Sequence, residues 1–128
     1  MAWEVYAWDV TCVDSLAKYH AGRAAQGAGL AAEEAERLKV EKYAHLDRYI
    51  FYGIGFETLG SWGPSALDIL GQIGRRIMEH TGDRRTMDFL RQKISVEIQR
   101  GNAVSVLGTA GKMTNLDNPF FLLGTRNF

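Results

Sequence analysis

The sequence predicts an α/β fold: a small, incomplete sheet of two or three strands, one long charged helix and a C-terminal helical hairpin. Three observations predict it. Two short runs, Trp3 to Val13 and Tyr49 to Glu57, have the aromatic and β-branched content of strands. The stretch between them is rich in Ala, Glu, Lys and Arg, which suits a helix. After Pro64, apolar residues recur three and four apart in two successive segments. On this reading residues 1–108 form one α/β domain, the C-terminal part of a larger one, and 109–128 an irregular tail.

In the first strand Ala7, Asp9 and Thr11 share a face with Trp3 and Val5, and Tyr6, Trp8, Val10 and Cys12 share the other. Both faces are largely apolar, so the strand is expected to be covered on both sides. Little sequence precedes it to supply a neighbour, so its edge is expected to be unpaired and a route to dimers. Asp14-Ser15 offers a helix start, because a short acceptor side chain can cap the first free N–H groups. Gly22, Gly27 and Gly29 argue for a break near Gln26 to Gly29, leaving Ala31 to Asp47 as the better helix. Its expected stripe is Leu30, Glu34, Leu38, Tyr43 and Leu46.

In the second strand Gly53 and Gly55 share a face with Glu57, so nothing larger than hydrogen lies between that backbone and whatever packs on it. Pro64 suits the first position of a helix, whose stripe is Leu67, Leu70, Ile73, Ile77 and Met78. Gly82 suits a left-handed C-cap. Asp83 caps the next helix, with core residues Met87, Leu90, Ile94 and Ile98, and Gly101-Asn102 either ends that helix or is absorbed in it. The tail carries one apolar patch, from Pro119 to Leu123.

Composition limits the functions open to the chain. Fifteen basic residues balance fifteen acidic ones, so any nucleic-acid site must be a local patch. Cys12 is the only cysteine, which excludes an internal disulfide and a Cys-rich zinc site. The longest apolar run, Tyr49 to Phe56, is far short of the ~20 residues of a membrane-spanning helix. The opening residues include Glu4 where a signal peptide carries basic residues. The expectation is a soluble intracellular protein.

Three stretches in order resemble one family. They are Trp8-Asp9-Val10-Thr11-Cys12-Val13-Asp14-Ser15-Leu16-Ala17, Phe56-Glu57-Thr58-Leu59-Gly60-Ser61-Trp62-Gly63-Pro64, and Gln99 to Thr109 with Gly101-Asn102-Ala103-Val104-Ser105-Val106-Leu107 at its centre. Lys39, Lys42-Tyr43, Gly74-Arg75-Arg76 and Thr81-Gly82-Asp83-Arg84 fit the same pattern. Together they resemble the C-terminal restriction-like endonuclease tail of animal non-LTR retrotransposon polyproteins, downstream of the reverse transcriptase. The resemblance implies a metal-dependent DNA endonuclease, a Mg²⁺ or Mn²⁺ cofactor, a DNA or RNA partner and a nuclear location. It also implies a Pro-Asp pair upstream of Asp9, which this chain does not contain, so the catalytic set is expected to be incomplete.

Phosphodiester hydrolysis by such a site needs carboxylates to hold the metal and a lysine to orient water or phosphate. The candidates are Asp9 and Glu57 as metal ligands and Lys42 as the lysine, with Lys39 next. Each has another reading: Asp9 as a structural acid, Glu57 as a helix cap or salt-bridge partner, the lysines as a solvated helix face. Asp14 is better explained by capping. From Gly71 to Arg100 seven basic residues face four acidic ones. Arg75, Arg76, Arg84, Arg85 and Arg100 are the candidate phosphate contacts, with the first four flanking one helical corner. That arrangement leaves two further readings: a non-catalytic nucleic-acid or self-association module, or a relic without function. No metal-ligand spacing links His20, His45 and His80, and Trp3, Trp8 and Trp62 are core or interface anchors before they are stacking platforms.

Overall fold

The computed structural model describes residues 4–109; Trp3 and the tail patch from Pro119 to Leu123 lie outside the described residues. The order of elements is β1 (Tyr6–Val13), α1 (Ala21–Gln26), α2 (Leu30–Lys42), β2 (Ile50–Glu57), α3 (Pro64–Thr81) and α4 (Thr86–Thr109). The fold is α/β, with a two-stranded sheet and a C-terminal helical hairpin.

β1 and β2 are parallel, with Tyr6 opposite Ile50 and Val13 opposite Glu57. Parallel neighbours need a crossover, and α1 and α2 supply it. The break between these helices falls where the glycines predict it, with Gly29 left-handed at φ +82°. The charged stretch is thereby divided into the short α1 and the longer α2. α2 also stops at Lys42 rather than continuing to Asp47, and residues 14–20 form turns, with Asp14 Oδ1 accepting from the Leu16 N–H at 2.9 Å.

The buried face of α2 is Ala31, Ala32, Ala35 and Glu36, not the larger residues of the predicted stripe; Leu38 is exposed. The reason lies on β2. A Cβ at Gly53 would come within 2.7 Å of the Glu36 carbonyl oxygen, and one at Gly55 within 2.6 Å of that of Ala32. The helix rides directly on strand backbone, so only small residues fit between them.

On the opposite face, Ile54 and Phe56 pack with Ala66, Ile69 and Leu70 of α3 and Ile94 and Ile98 of α4. The Trp62 ring meets Phe56 edge-on at 5.4 Å. α3 begins at Pro64 and closes on left-handed Gly82, whose N–H donates to the Met78 carbonyl at 2.7 Å. α4 crosses α3 closely at Gly74, where the Met87 sulfur takes the place a side chain would need. Gly101-Asn102 is absorbed into α4, and the Asn102 amide donates to the Thr58 carbonyl at 2.8 Å, tying the helix to the end of β2.

The expectation that β1 is covered on both sides does not hold among the described residues. α2 shields Ala7, Asp9, Thr11 and Val13, but the hairpin sits over β2, leaving Trp8 60% and Val10 55% exposed.

Candidate functional site

The sheet brings the two candidate metal ligands onto one face, yet far apart. Asp9 lies opposite Gly53 and Glu57 opposite Val13, a separation of four residues, about 13 Å along the strands. Their partners along α2 are equally separated. The Lys39 ammonium donates to Asp9 Oδ2 at 2.7 Å. Glu57 Oε1 accepts from the Ala31 and Ala32 N–H groups at 3.0 and 3.2 Å, at the far end of the helix from Lys39. Two carboxylates sharing one divalent ion lie within about 5 Å of each other, so Asp9 and Glu57 do not converge on a common ion in this arrangement. The strands are neighbours, and the register separates the two acids along them.

Glu57 is 2% exposed and caps α2. The N-cap position itself is Gly29, which has no side chain to offer. Leu30 and Glu33 donate their N–H groups to Gly27 and Gly29 carbonyls, so every donor of the first turn is met.

Glu36, which sequence reasoning did not single out, does the same for α3. It is 4% exposed; its Oε1 accepts from the Gly55 and Ala66 N–H groups and its Oε2 from that of Ser65, each at 3.0 Å. Pro64 has no N–H, and Leu67 donates to the Gly63 carbonyl, so this helix end is also complete. A Cβ at Gly63 would collide with the Glu36 carboxylate. Glycine stands at both N-cap positions, and at each a glutamate from another element supplies the acceptor. The one local signal for Glu36 is its place on the alanine face that meets Gly53 and Gly55.

Asp9 is the more open acid. The Lys39 ammonium hydrogen-bonded to it, aided by the Tyr43 hydroxyl and the Lys42 charge, holds its carboxyl below the ordinary aspartate range, against partial desolvation. The same contact holds Lys39 above the ordinary lysine range. Lys42, the first-choice lysine, is exposed, with its ammonium 5.2 Å from the Tyr43 ring centre. The lysine that touches Asp9 is Lys39.

The basic corner is solvent-facing: Arg75, Arg76, Arg84 and Arg85 are all exposed. Arg85 reaches Asp83 Oδ1 at 3.4 Å and lies over the Phe89 ring at 5.3 Å, and Arg100 pairs with Glu97 at 2.8 Å. Asp83 is held below its ordinary range by the Arg85 N–H and then by its side chain. Arg75, Arg76 and Arg84 form no ion pair among the described residues.

The third feature is an apolar groove of about 750 Å³ along the uncovered part of the sheet. Its floor is Trp8, Val10 and Cys12, and its wall includes Ile73, Ile94 and Ile98. Burial pushes the Cys12 thiol up, with the Asp14 charge adding to it. Among the described residues no group of three or more His, Cys, Asp or Glu side chains is placed to hold a metal ion, and no helix is long and apolar enough to cross a membrane. Comparison with known proteins gives no match: no family model, no curated protein and no solved structure is similar to this chain.

Proposed function

We propose that this chain is a retrotransposon-derived, endonuclease-like fragment that binds nucleic-acid backbone without cleaving it. The observation that carries the reading is the α3–α4 corner, where Arg75, Arg76 and Arg84 are exposed and free of acidic partners among the described residues. Guanidinium groups free of internal partners are available to phosphate oxygens, and such contacts position a duplex without reading its bases. The reading is non-catalytic because Asp9 is committed to Lys39 and Glu57 to the α2 N-terminus. The Mg²⁺ or Mn²⁺ that the resemblance implies is not matched by these two carboxylates, so no hydrolytic step is assigned to them. Nucleic acid, in the nucleus, is one partner on this reading; a second copy of the chain, joined through the free β1 edge, is the other.

Fluorescence anisotropy with a labelled duplex over a salt series tests the reading. Binding is expected to weaken steeply with salt and to be indifferent to sequence. Replacing Arg75, Arg76 and Arg84 together by alanine should lower the logarithmic salt slope by roughly 0.9 for each phosphate no longer neutralised. Asp9→Ala should bind like the parent. Absence of binding at low salt removes the reading. Divalent-metal-dependent nicking that vanishes in Asp9→Ala replaces it with the endonuclease.

A further inference from the structure

We propose that the groove over β1 is half of a homodimer core, closed when β1 pairs antiparallel with β1 of a second copy about a two-fold axis at Val10. The inference rests on the self-association reading and specifies its geometry. Three observations support it.

The first is the state of the β1 edge. The Val5 and Val13 carbonyls accept from Ile50 and Thr58 N–H groups on the β2 side, each at 2.9 Å. By the two-residue period of a strand, the N–H and C=O groups of Tyr6, Trp8, Val10 and Cys12 point away from β2. Among the described residues no strand lies there. A two-stranded sheet is marginal alone, and one more pairing makes four strands from two copies.

The second is self-complementarity. A two-fold axis perpendicular to the sheet keeps the Trp8, Val10 and Cys12 face of both copies on one side. Centred on Val10, it places Val10 opposite Val10 and Trp8 opposite the second copy's Cys12. Asp9 then lies opposite Thr11, whereas an axis at Asp9 would set two like charges face to face. The incoming Trp8 then lies beside Cys12, on the apolar floor of the groove.

The third is area. On the groove side Tyr6, Trp8 and Val10 are each about half exposed or more. Aromatic side chains bury 150–250 Å² when fully covered, so these three supply on the order of 300 Å² per copy. With strand edges and groove walls, the total reaches the ~1,000 Å² of a specific interface. Lys93 and Glu97 on α4 put both signs of charge at the groove rim.

The test uses the full chain in a Cys12→Ser background, with Val10→Cys or Trp8→Cys added. Cα atoms of a hydrogen-bonded antiparallel pair lie about 5.5 Å apart, inside the disulfide range. Two copies of Val10→Cys are therefore expected to link on mild oxidation at micromolar concentration. Two copies of Trp8→Cys, about 13 Å apart in this register, are not. Trp8→Glu should weaken the dimer at least tenfold by light scattering, while leaving the exposed strand folded. A parent that stays monomeric with and without residues 110–128 overturns self-association altogether. A dimer that links through Trp8→Cys, or not through Val10→Cys, overturns this geometry and leaves self-association standing. A monomer that dimerises only after removal of residues 110–128 assigns the groove to the chain's own tail and overturns the proposal.

Discussion

The two faces of the sheet are built on opposite principles. Under α2 the contact is backbone on backbone: glycines on the strand, alanines on the helix, and two carboxylates aimed at helix ends. Under the hairpin the contact is made by large side chains, and the layer reaches β2 but not β1. On the α2 face the first-turn N–H groups of both α2 and α3 are met by those carboxylates. The hairpin face leaves a tryptophan and a valine in solvent beside an unpaired strand edge. Close backbone packing and buried carboxylate caps mark the first face; the larger apolar core and the exposed apolar surface beside it mark the second.

The largest effect that could break this comparison is loss of Glu36. Its removal in Glu36→Ala strands three N–H groups, those of Gly55, Ser65 and Ala66, at a junction of three elements. A buried unsatisfied donor costs about 1–3 kcal/mol, so a loss of about 3 kcal/mol or more is expected in urea unfolding. Glu36→Gln keeps one acceptor oxygen and should lose less. A Glu36→Ala chain within about 1 kcal/mol of the parent would show that water replaces the carboxylate, contrary to the packing described.

Gly55→Ala sharpens the comparison at the next level. Its Cβ would press on the Ala32 carbonyl oxygen and the Glu36 Cγ, so α2 must lift from the sheet. Overpacking of this kind costs typically about 1–3 kcal/mol. Cys12→Ala on the open face should stay within about 0.5 kcal/mol, as exposed positions do. Thermal or urea midpoints of the two variants read the contrast directly, and equal midpoints would erase it.

Much of the backbone was legible from local signals. Pro64, Gly82, Gly53-Gly55 and the Gln26–Gly29 break each act within a few residues, and each stands where its chemistry predicts. The stripe at Met87, Leu90, Ile94 and Ile98 was legible for the same reason. What was not legible depends on contacts distant in sequence. Glu36 looks like one more charged helix residue until Gly55 and Gly63 are brought to it from the other side of the sheet. Glu57 was anticipated as a strand-end acid with capping among its readings, but its target on α2 lies 25 residues away. Periodicity also favoured Leu38 over Ala35, because it weighs size and does not register that the glycine face leaves no room for size.

The smallest effect concerns the Asp9–Lys39 pair, an interaction of the α2 face that water reaches. Asp9 titrates below its unfolded value because Lys39 stabilises its charged form. Its contribution is therefore present above the unfolded aspartate value near pH 3.9 and fades as pH falls through the lower folded value. Lys39 titrates above its unfolded value, so its contribution is complete below about pH 10.4 and fades as pH rises through the higher folded value. Asp9→Asn should unfold with a flatter pH profile than the parent at the acid end and match it once the parent's aspartate is protonated. Both side chains are partly open, so added salt should shrink the difference at neutral pH. Glu36 supplies the contrast: its partners are backbone N–H groups in a buried junction, and salt should leave its contribution unchanged. A salt series on Asp9→Asn and Glu36→Gln then separates a screened surface pair from a sealed cap within one helix. If both variants respond to salt alike, the two sites share one solvent environment and the division along α2 fails.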